Sequence, residues 1–246
     1  MQIQMIGTGS AFSKKYFNNN ALVYTEDYTL LIDCGITAPM ALHKLNKPVQ
    51  EIDGILITHL HADHVGGVEE LAFQSKFLNI PKPKLFISAK LLPVLWENSL
   101  KAGLSDGKGN GLEDFFEIVE MNENEETTIS PSLHIEIIQT EHVPNKLSYS
   151  LFINQDLFYS ADMQFNPSLL AHIHEGRKCR TIMHDCQLED PGTVHATLNQ
   201  LLTLPEEIQE KILLMHYGDH MEDFIGKTGK MTFMEQQKRY TFESNE

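Results

Sequence analysis

The sequence predicts a layered α/β fold in which two sheets have helices packed outside them. Short runs rich in Ile, Leu, Val, Phe and Tyr, such as GILITHL and KLFIS, alternate with longer runs that have helical apolar spacing, such as VGGVEELAFQSKFL. The same alternation resumes after the acidic turn NENEE, with no break in composition. We therefore predict one domain over residues 1–246, built from two pseudo-repeated halves at about 1–121 and 122–246.

Each predicted element follows from its residue types. Segments rich in β-branched and aromatic residues predict strands, and segments with apolar residues three and four apart predict helices. The predicted strands of the first half are QIQMIG, ALVYTED, YTLLIDCG, GILITHL, KLFIS and FFEIVEM, and its predicted helices are APMALHKL, VGGVEELAFQSKFL and LLPVLWENSLKAG. The second half has predicted strands at LHIEIIQTEH, SYSLFIN, LFYSADM, TIMHDC and KILLMHYG, and predicted helices at NPSLLAHIHE and HATLNQLLTL.

Composition and charge argue against several function classes. The chain has 246 residues, of which 41% are hydrophobic and 22% are charged, as in ordinary globular proteins. No apolar run reaches the ~18 residues of a membrane-spanning helix, so no membrane association is expected. The net charge of −15 opposes non-specific binding to nucleic acid. The three cysteines are odd in number and lack C-x-x-C spacing, so we expect a cytoplasmic protein without disulfides.

The segment ILITHLHADHVGG, residues 55–67, carries the densest chemistry of the chain. His59 and His61 are two apart in an extended segment, so their side chains share a face. If the chain then turns into a helix, Asp63 and His64 lie at its start and face the same pocket from the other side. Imidazole nitrogen and carboxylate oxygen suit Zn²⁺, and also Mn²⁺ or Fe. Four ligands so close together, yet not convergent on one point, predict two metal ions.

Two metal ions need further ligands, which we expect after other strands because loops at strand ends build the sites of layered α/β proteins. His142, Asp162 and His216 each come directly after an apolar run. Together with the histidine motif they complete two sets. One metal is predicted to be bound by His59, His61 and His142, and the other by Asp63, His64 and His216, with Asp162 bridging the two.

These residues and their order resemble the metallo-β-lactamase superfamily, and within it the ribonuclease Z-like branch. The resemblance spans essentially the whole chain. LIDCG and ITHLHADH match the early motifs of the branch, IMHDCQL resembles its His-Glu-Ala-Thr motif, and VHAT (194–197) resembles its His-Ser-Thr motif. One departure is Asp185, which stands where the family motif has Glu. The resemblance implies a four-layer αββα metallo-β-lactamase fold and two divalent metal ions, with Zn²⁺ favoured and Mn²⁺ as the alternative.

The residue chemistry suits hydrolysis of a phosphodiester. Two metal ions about 3.5–4 Å apart can hold a hydroxide and stabilise charge on phosphoryl oxygens. The leaving alkoxide then needs a proton, and His195 is the predicted donor because imidazole titrates near neutral pH. Asp185 is predicted to orient His195, as the acidic residue of the resembled family does. The alternative for His195 is that it caps or packs the start of a helix. The predicted catalytic residues are Asp63, His195 and Asp185.

The segment between His142 and Asp162 bears on the substrate. Ribonuclease Z enzymes hold precursor tRNA with an arm inserted at this point, whereas VPNKLSYSLFINQDLFYSA predicts only a hairpin. The missing arm and the acidic charge argue against tRNA as a partner. Smaller relatives of the branch hydrolyse cyclic phosphodiesters. The opening MIGTGSAFSKKYFNNNALV is most similar to the anti-Pycsar group, whose members degrade cyclic nucleotides such as cCMP and cUMP.

We therefore predict a dinuclear-metal phosphodiesterase that hydrolyses 3′,5′-cyclic nucleotides to nucleoside monophosphates. The expected substrates are cCMP and cUMP, with cAMP and cGMP as further candidates, and the expected role is anti-Pycsar immune evasion in the cytoplasm, or in the host cytoplasm if a phage encodes the protein. The resemblance also implies a homodimer. Two alternatives stay open: a ribonuclease Z-type tRNA 3′-endonuclease, and a non-catalytic metal-bound sensor on the same fold. A further group of polar residues either lines the substrate mouth or forms an ordinary exposed loop: Lys14, Lys15, Asn18, Asn19 and Asn20.

Overall fold

The chain forms two units, each with one seven-stranded mixed sheet. The structure, a computed structural model, describes residues 1–243. The first unit comprises Met1–Gly7, Phe17–Asn122 and the segment that begins at Gln236, and the second comprises Thr8–Tyr16 and Glu123–Glu235. A short N-terminal segment therefore belongs to the second unit and the C-terminal segment to the first. The single domain predicted from the sequence stays a prediction.

The sheets are built from fourteen strands among the described residues. In chain order they are β1 (Gln2–Gly7), β2 (Asn20–Tyr24), β3 (Thr29–Ile32), β4 (Gly54–Ile57), β5 (Lys84–Ser88), β6 (Glu117–Met121), β7 (Glu126–Ser130), β8 (Leu133–Thr140), β9 (Ser148–Ile153), β10 (Leu157–Tyr159), β11 (Thr181–Asp185), β12 (Ile212–Met215), β13 (Thr232–Phe233) and β14 (Arg239–Thr241). The sheet order is β14-β1-β2-β3-β4-β5-β6 in the first unit and β13-β12-β11-β10-β9-β8-β7 in the second.

The helices are short. They are α1 (Ala38–Lys44), α2 (Ala62–Val65), α3 (Val68–Phe77), α4 (Leu92–Leu95), α5 (Lys101–Leu104), α6 (Pro167–Ala171), α7 (Leu198–Leu201) and α8 (Glu206–Gln209). Turns of 3₁₀-helix lie at Val49–Glu51, Leu112–Asp114 and Met221–Phe224, and π-helical turns lie at Trp96–Leu100 and His172–Gly176.

In the first unit, parallel pairing brings two strand ends together. Strands β3 to β6 run parallel, and β4 is buried along its whole length, as expected for an apolar strand inside a parallel sheet. Because parallel strands end at the same edge, the residues after β3 and β4 are neighbours. Asp33 follows β3 and donates its backbone N–H to Leu56 O at 2.8 Å. This edge of the sheet carries the histidine motif.

In the second unit the same logic applies to β10, β11 and β12, which also run parallel. The positions at or just after their ends are Asp162, Asp185 and His216. A continuous apolar core lies beside them and includes Phe158, Ile182 and Leu214, none of which is exposed. Burial of each such side chain stabilises the fold by roughly 1.5–3 kcal/mol. The packed core therefore fixes the positions of the strand ends.

The predicted strands are confirmed with small shifts at their ends, whereas the helices differ more. The segment LLPVLWENSLKAG, predicted as one helix, is divided by the π-helical turn at Trp96–Leu100 into α4 and α5. Strand β7 was not predicted, because its sequence ETTIS directly follows the acidic turn. The short strands β13 and β14 were not predicted either. The segment after His142 forms the predicted hairpin, in which β9 pairs antiparallel with β10. Within residues 1–243, no helix combines the length and apolar character needed to cross a bilayer.

Candidate metal centre

The histidine motif of the first unit follows the buried strand β4. His59 Nε2 lies 3.2 Å from His61 Nδ1, so the two side chains meet as their spacing predicts. The chain stays extended at His61, the N-cap of α2, and then turns into the helix that carries Asp63 and His64. Asp63 Oδ2 is 3.3 Å from His64 Nε2, and the rings of His59 and His64 have centroids 3.9 Å apart. The first unit therefore gathers all four residues of the motif.

Asp33 fixes the orientation of two of these histidines. Its Oδ2 accepts hydrogen bonds from His64 Nδ1–H at 2.7 Å and from the Thr58 hydroxyl at 2.7 Å. Since that hydroxyl donates to Asp33, it accepts from His59 Nδ1–H, 3.1 Å away. Both imidazoles then carry their lone pair on Nε2, the form that binds a metal ion. Burial has the larger effect and raises the pKa of Asp33, although the contacts with His64 and Thr58 oppose the rise by stabilising the charged form.

The backbone at the start of α2 is held by the loop after β3. Asn20 Oδ1 accepts a hydrogen bond from the Gly35 N–H at 2.9 Å, and Asn20 Nδ2 donates to Asp63 O at 3.2 Å. A Cβ atom at Gly35 would lie 1.9 Å from Asp63 O, so only glycine fits there without movement. The glycine of LIDCG therefore lets the two loops approach closely enough to fix the position of Asp63.

The second unit gathers three further predicted ligands. Asp162 Oδ2 lies 3.3 Å from His216 Nε2 and 3.7 Å from His142 Nε2. His142 Nδ1–H donates to Val194 O at 2.7 Å, which leaves the lone pair on Nε2. Burial lowers the pKa of His142, and the Asp162 charge opposes this shift. The neutral imidazole is the state that coordinates a metal ion.

His195 and Asp185 form a pair beside these ligands. His195 Nδ1 is 2.9 Å from Asp185 Oδ2, and the His195 ring lies 4.7 Å from the ring of His142 and 4.8 Å from that of His216. Burial opposes ionisation of Asp185, but hydrogen bonds and charge from His184 and His195 outweigh it and lower the pKa of Asp185. Asp185 is therefore a carboxylate that faces Nδ1 of His195.

The structure assigns the helix cap near this pair to another residue. Thr197 is the N-cap of α7, and it forms a capping box with Gln200 in which each side chain binds the other's backbone N–H. His195, two residues earlier, is only 19% exposed in its side chain and does not cap the helix. The capping alternative for His195 is therefore wrong.

The donors in each unit fit a divalent cation. In the second unit one ligand atom from each of Asp162, Asp185, His195 and His216 lies within 4.8 Å of the others, and in the first unit the same holds for Asp33, His59 and His64. Buried imidazole nitrogens with carboxylate oxygens form the donor set that Zn²⁺ prefers, and Mn²⁺ accepts it as well.

The family of the chain is shown by sequence comparison. The family model described as anti-Pycsar protein Apyc1 matches residues 1–240. The chain belongs to the anti-Pycsar protein Apyc1 family. It is 56% identical to the Apyc1 protein of Paenibacillus sp. (strain J14), over 98% of this chain and 99% of the relative. It is 44% identical to the Apyc1 protein of Bacillus phage BSP38, over 97% of each chain. The predicted resemblance to the anti-Pycsar group is confirmed.

Solved structures confirm the metallo-β-lactamase fold of this Apyc1-family chain. The protein YhfI from Bacillus subtilis, described as having that fold, matches 97% of this chain and 98% of its own with a TM-score of 0.76 at 16% identity. Human tRNase Z, short form, matches 99% of this chain and 100% of its own with a TM-score of 0.70 at 14% identity. Family and fold together support a metal-dependent hydrolase.

In the second unit, a cavity of about 440 Å³ lies beside His195 and His216. His195 and His216 form part of its wall, together with Phe12 and Leu188, and Glu189 is one of two acidic residues at it. Among the described residues that line this cavity, none is lysine or arginine. A cavity of this size suits a small ligand.

The structure gives structural roles to most of the polar residues at the N-terminal loop. Asn18, Asn19 and Asn20 are buried rather than exposed. Asn18 Oδ1 accepts hydrogen bonds from both the backbone N–H and the hydroxyl of Thr37. Lys15 forms an ion pair with Glu222. These contacts give Asn18 and Lys15 structural roles.

Sequence reasoning missed Asp33, Thr58 and His184 as parts of the site. His184 Nδ1–H donates to Asp185 O at 2.8 Å and lies 3.1 Å from Asp185 Oδ1, so His184 contacts the carboxylate that faces His195. Asp33 lies in the quoted segment LIDCG, and the signal that could have found it is an acidic residue directly after a strand parallel to β4.

Proposed function

We propose that the protein hydrolyses 3′,5′-cyclic nucleotides to nucleoside monophosphates, and that it serves immune evasion as an anti-Pycsar enzyme. The observation that carries this proposal is the His195–Asp185 pair at the wall of the 440 Å³ cavity, in a chain of the Apyc1 family. The expected substrates are cCMP and cUMP, with cAMP and cGMP as further candidates.

Two divalent metal ions are part of the proposal, with Zn²⁺ favoured over Mn²⁺. One would be held by His59, His61 and His142 and the other by Asp63, His64 and His216, with Asp162 bridging. When bound, such ions supply a hydroxide nucleophile and neutralise charge on the phosphoryl oxygens. The structure supports this proposal because the ligands contributed by each unit lie close to one another. In His59, His64 and His142, a hydrogen bond at Nδ1 leaves the lone pair on Nε2.

Side chains of this protein are proposed to donate and accept the protons of the reaction. Bound metal ions would supply the hydroxide that adds to phosphorus. As one P–O bond of the ring breaks, the leaving ribose oxygen takes a proton from His195 Nε2. Asp185 holds Nδ1–H of the same ring and stabilises its positive charge before transfer. Asp63, at the start of α2, is the candidate carboxylate for taking a proton from the attacking water.

The cavity favours a small substrate with one phosphate. A tRNA processor must hold many phosphates away from the cleavage point, which needs basic surface. The cavity instead carries Glu189 and Asp190, and the segment after His142 is only a hairpin. A cyclic nucleotide has a single negative charge, which bound metal ions would neutralise.

Two further expectations go with this function. The three cysteines are buried free thiols, as expected in a reducing cytoplasm. A homodimer is the proposed assembly, because the resembled anti-Pycsar proteins are homodimers.

The test is a panel assay of the metal-loaded protein against cCMP, cUMP, cAMP, cGMP, a precursor tRNA and bis-p-nitrophenyl phosphate. We expect turnover of cyclic nucleotides and of bis-p-nitrophenyl phosphate without tRNA cleavage. Efficient tRNA cleavage with inert cyclic nucleotides would instead identify a tRNA 3′-endonuclease. Binding of cyclic nucleotides without turnover by fully loaded protein would identify a sensor.

A further inference from the structure

We propose that Phe12 is the platform on which the base of the nucleotide stacks, and that Asp219 is the residue that positions it. The inference rests on the proposed function, since it assigns the base-binding part of the same site. It depends on three features of the second unit: the exposure of Phe12, the anchoring of the turn that carries it, and the cavity that it shares with His195.

Phe12 is presented to the cavity by a tight turn. Ser13 N–H donates to Ser10 O at 3.1 Å, which makes Ala11 and Phe12 the two central residues of a β-turn. The Phe12 side chain is 89% exposed, yet Phe12 lines the cavity whose wall contains His195 and His216. Phe12 thus places a large apolar ring at the cavity that also contains His195, the proposed proton donor.

Asp219 anchors the chain immediately after this turn. Its carboxylate accepts hydrogen bonds from the Ser13 hydroxyl, from Lys14 N–H at 3.0 Å and from Lys15 N–H at 2.8 Å. These three bonds lower the pKa of Asp219, with the Ser13 contact as the largest cause. The carboxylate therefore stays charged at neutral pH and keeps accepting these hydrogen bonds.

A second anchor holds the other side of the turn. Ser10 N–H donates to Tyr217 O at 3.0 Å, and Tyr217 N–H donates to Thr8 O at 3.1 Å. The rings of Tyr16 and Tyr217 meet edge to face at 5.1 Å. Because Tyr217 follows His216 directly, the turn is fixed to the strand end that carries a proposed metal ligand. Phe12 is thereby rigid at its backbone although its side chain is exposed.

The chemistry of the cavity suits a nucleobase at this position. Every base has a flat π-face, so an aromatic platform binds bases with little regard to sequence. Leu188 adds an apolar contact to the same cavity, and the carboxylates of Glu189 and Asp190 are acceptors of the kind that bind exocyclic amino groups. The inference therefore predicts broad base tolerance.

The experiment compares kcat/KM for two substrate types in metal-loaded protein. One type is cCMP and cAMP, and the other is the 3′,5′-cyclic phosphate of methyl ribofuranoside, which keeps the ring and phosphate and lacks a base. Phe12→Ala is expected to lower kcat/KM for the nucleotides by about 5- to 150-fold, mainly through KM, and to leave the base-free substrate unchanged. Phe12→Trp should retain activity on both.

The matched control is Phe77→Ala, which removes another exposed ring, 79% accessible, that does not line this cavity. It should leave both substrates unchanged. Asp219→Ala should reproduce the nucleotide-selective loss of Phe12→Ala, because it releases the turn. Metal content of every variant is measured to confirm that the neighbouring ligand His216 still functions.

The outcomes separate this inference from the proposed function. Wild-type protein that turns over none of the cyclic nucleotides overturns both. Active wild-type protein with an unchanged Phe12→Ala variant overturns only the assignment of Phe12. Equal losses on the nucleotide and base-free substrates, together with a changed molar mass in light scattering, would instead place Phe12 in a subunit interface.

Discussion

His195 Nδ1 and Asp185 Oδ2 lie 2.9 Å apart, with the histidine in the loop before α7 and the aspartate at the end of β11. The carboxylate has no exposed surface, whereas the imidazole reaches the cavity. This arrangement suits the proposed role of His195 as a proton donor, with the Asp185 carboxylate on the side of the ring away from the cavity. It also shows that Asp reaches His195 although the resembled motif has the longer Glu.

The first prediction concerns this pair. His195→Ala should lose about 10²–10⁴-fold of kcat on cyclic nucleotides while it keeps both metal ions. The loss should be much smaller on bis-p-nitrophenyl phosphate, because p-nitrophenolate leaves without a proton. Steady-state kinetics on both substrates and metal analysis of the variant are the measurements. Equal losses on the two substrates would remove His195 from the role of acid, and loss of metal would make it a ligand.

The second prediction concerns metal stoichiometry. Protein reconstituted with Zn²⁺ or Mn²⁺ should hold close to two equivalents per chain, measured by plasma mass spectrometry. Asp162→Ala should lower occupancy of both sites together, because Asp162 is the proposed bridge and its Oδ2 faces both His142 and His216. Asp223→Ala, which removes an exposed carboxylate of the same unit, is the control. A stoichiometry near zero after reconstitution would contradict the ligand assignment.

The sequence predicted the parts of the site that depend on local spacing. His59 and His61 meet because they are two apart in an extended segment. His142, Asp162 and His216 are recognisable in the sequence because each comes directly after an apolar run. Partnerships across long separations were not predictable in this way. The bonds of Asp33 to His64 and of Asp219 to Ser13 join residues 31 and 206 apart, and they depend on which strand ends the fold brings together.

The helices show the same limit. Apolar spacing predicted one helix over LLPVLWENSLKAG, but spacing alone does not report the π-helical turn at Trp96–Leu100, which inserts a residue into the hydrogen-bond ladder. The start of α7 was placed too early because the apolar pattern begins before the cap, Thr197. Local pattern therefore predicted which elements exist better than where they end.

The third prediction concerns Asp33, which orients His64 directly and His59 through Thr58. Asp33→Asn should weaken metal affinity by about 10- to 100-fold, since residues that orient ligand histidines typically contribute this much. Competition with a chelator of known affinity measures the change. Asp53→Asn, which alters an exposed carboxylate that binds Thr29 N–H in the same unit, should leave affinity unchanged. Similar metal affinity in the two variants would contradict the orienting role.

The fourth prediction concerns Gly35. A Cβ atom there would lie 1.9 Å from Asp63 O, so Gly35→Ala should destabilise the protein by about 1–3 kcal/mol. For a chain of this length, that change corresponds to a fall in Tm of about 2–12 °C. Gly218→Ala is the control, because no atom lies within 4 Å of a Cβ built there. Thermal unfolding of both variants decides the matter, and an unchanged Tm for Gly35→Ala would show that the two loops can separate without cost.

Hydrolysis of cCMP in H₂¹⁸O by the metal-loaded protein, with the nucleotide product analysed by mass spectrometry, is the decisive measurement for the proposed reaction. We expect metal-dependent conversion to a cytidine monophosphate that carries one ¹⁸O atom, and we expect this conversion to be lost in His195→Ala. Unchanged cCMP under conditions in which the same preparation cleaves precursor tRNA would contradict it.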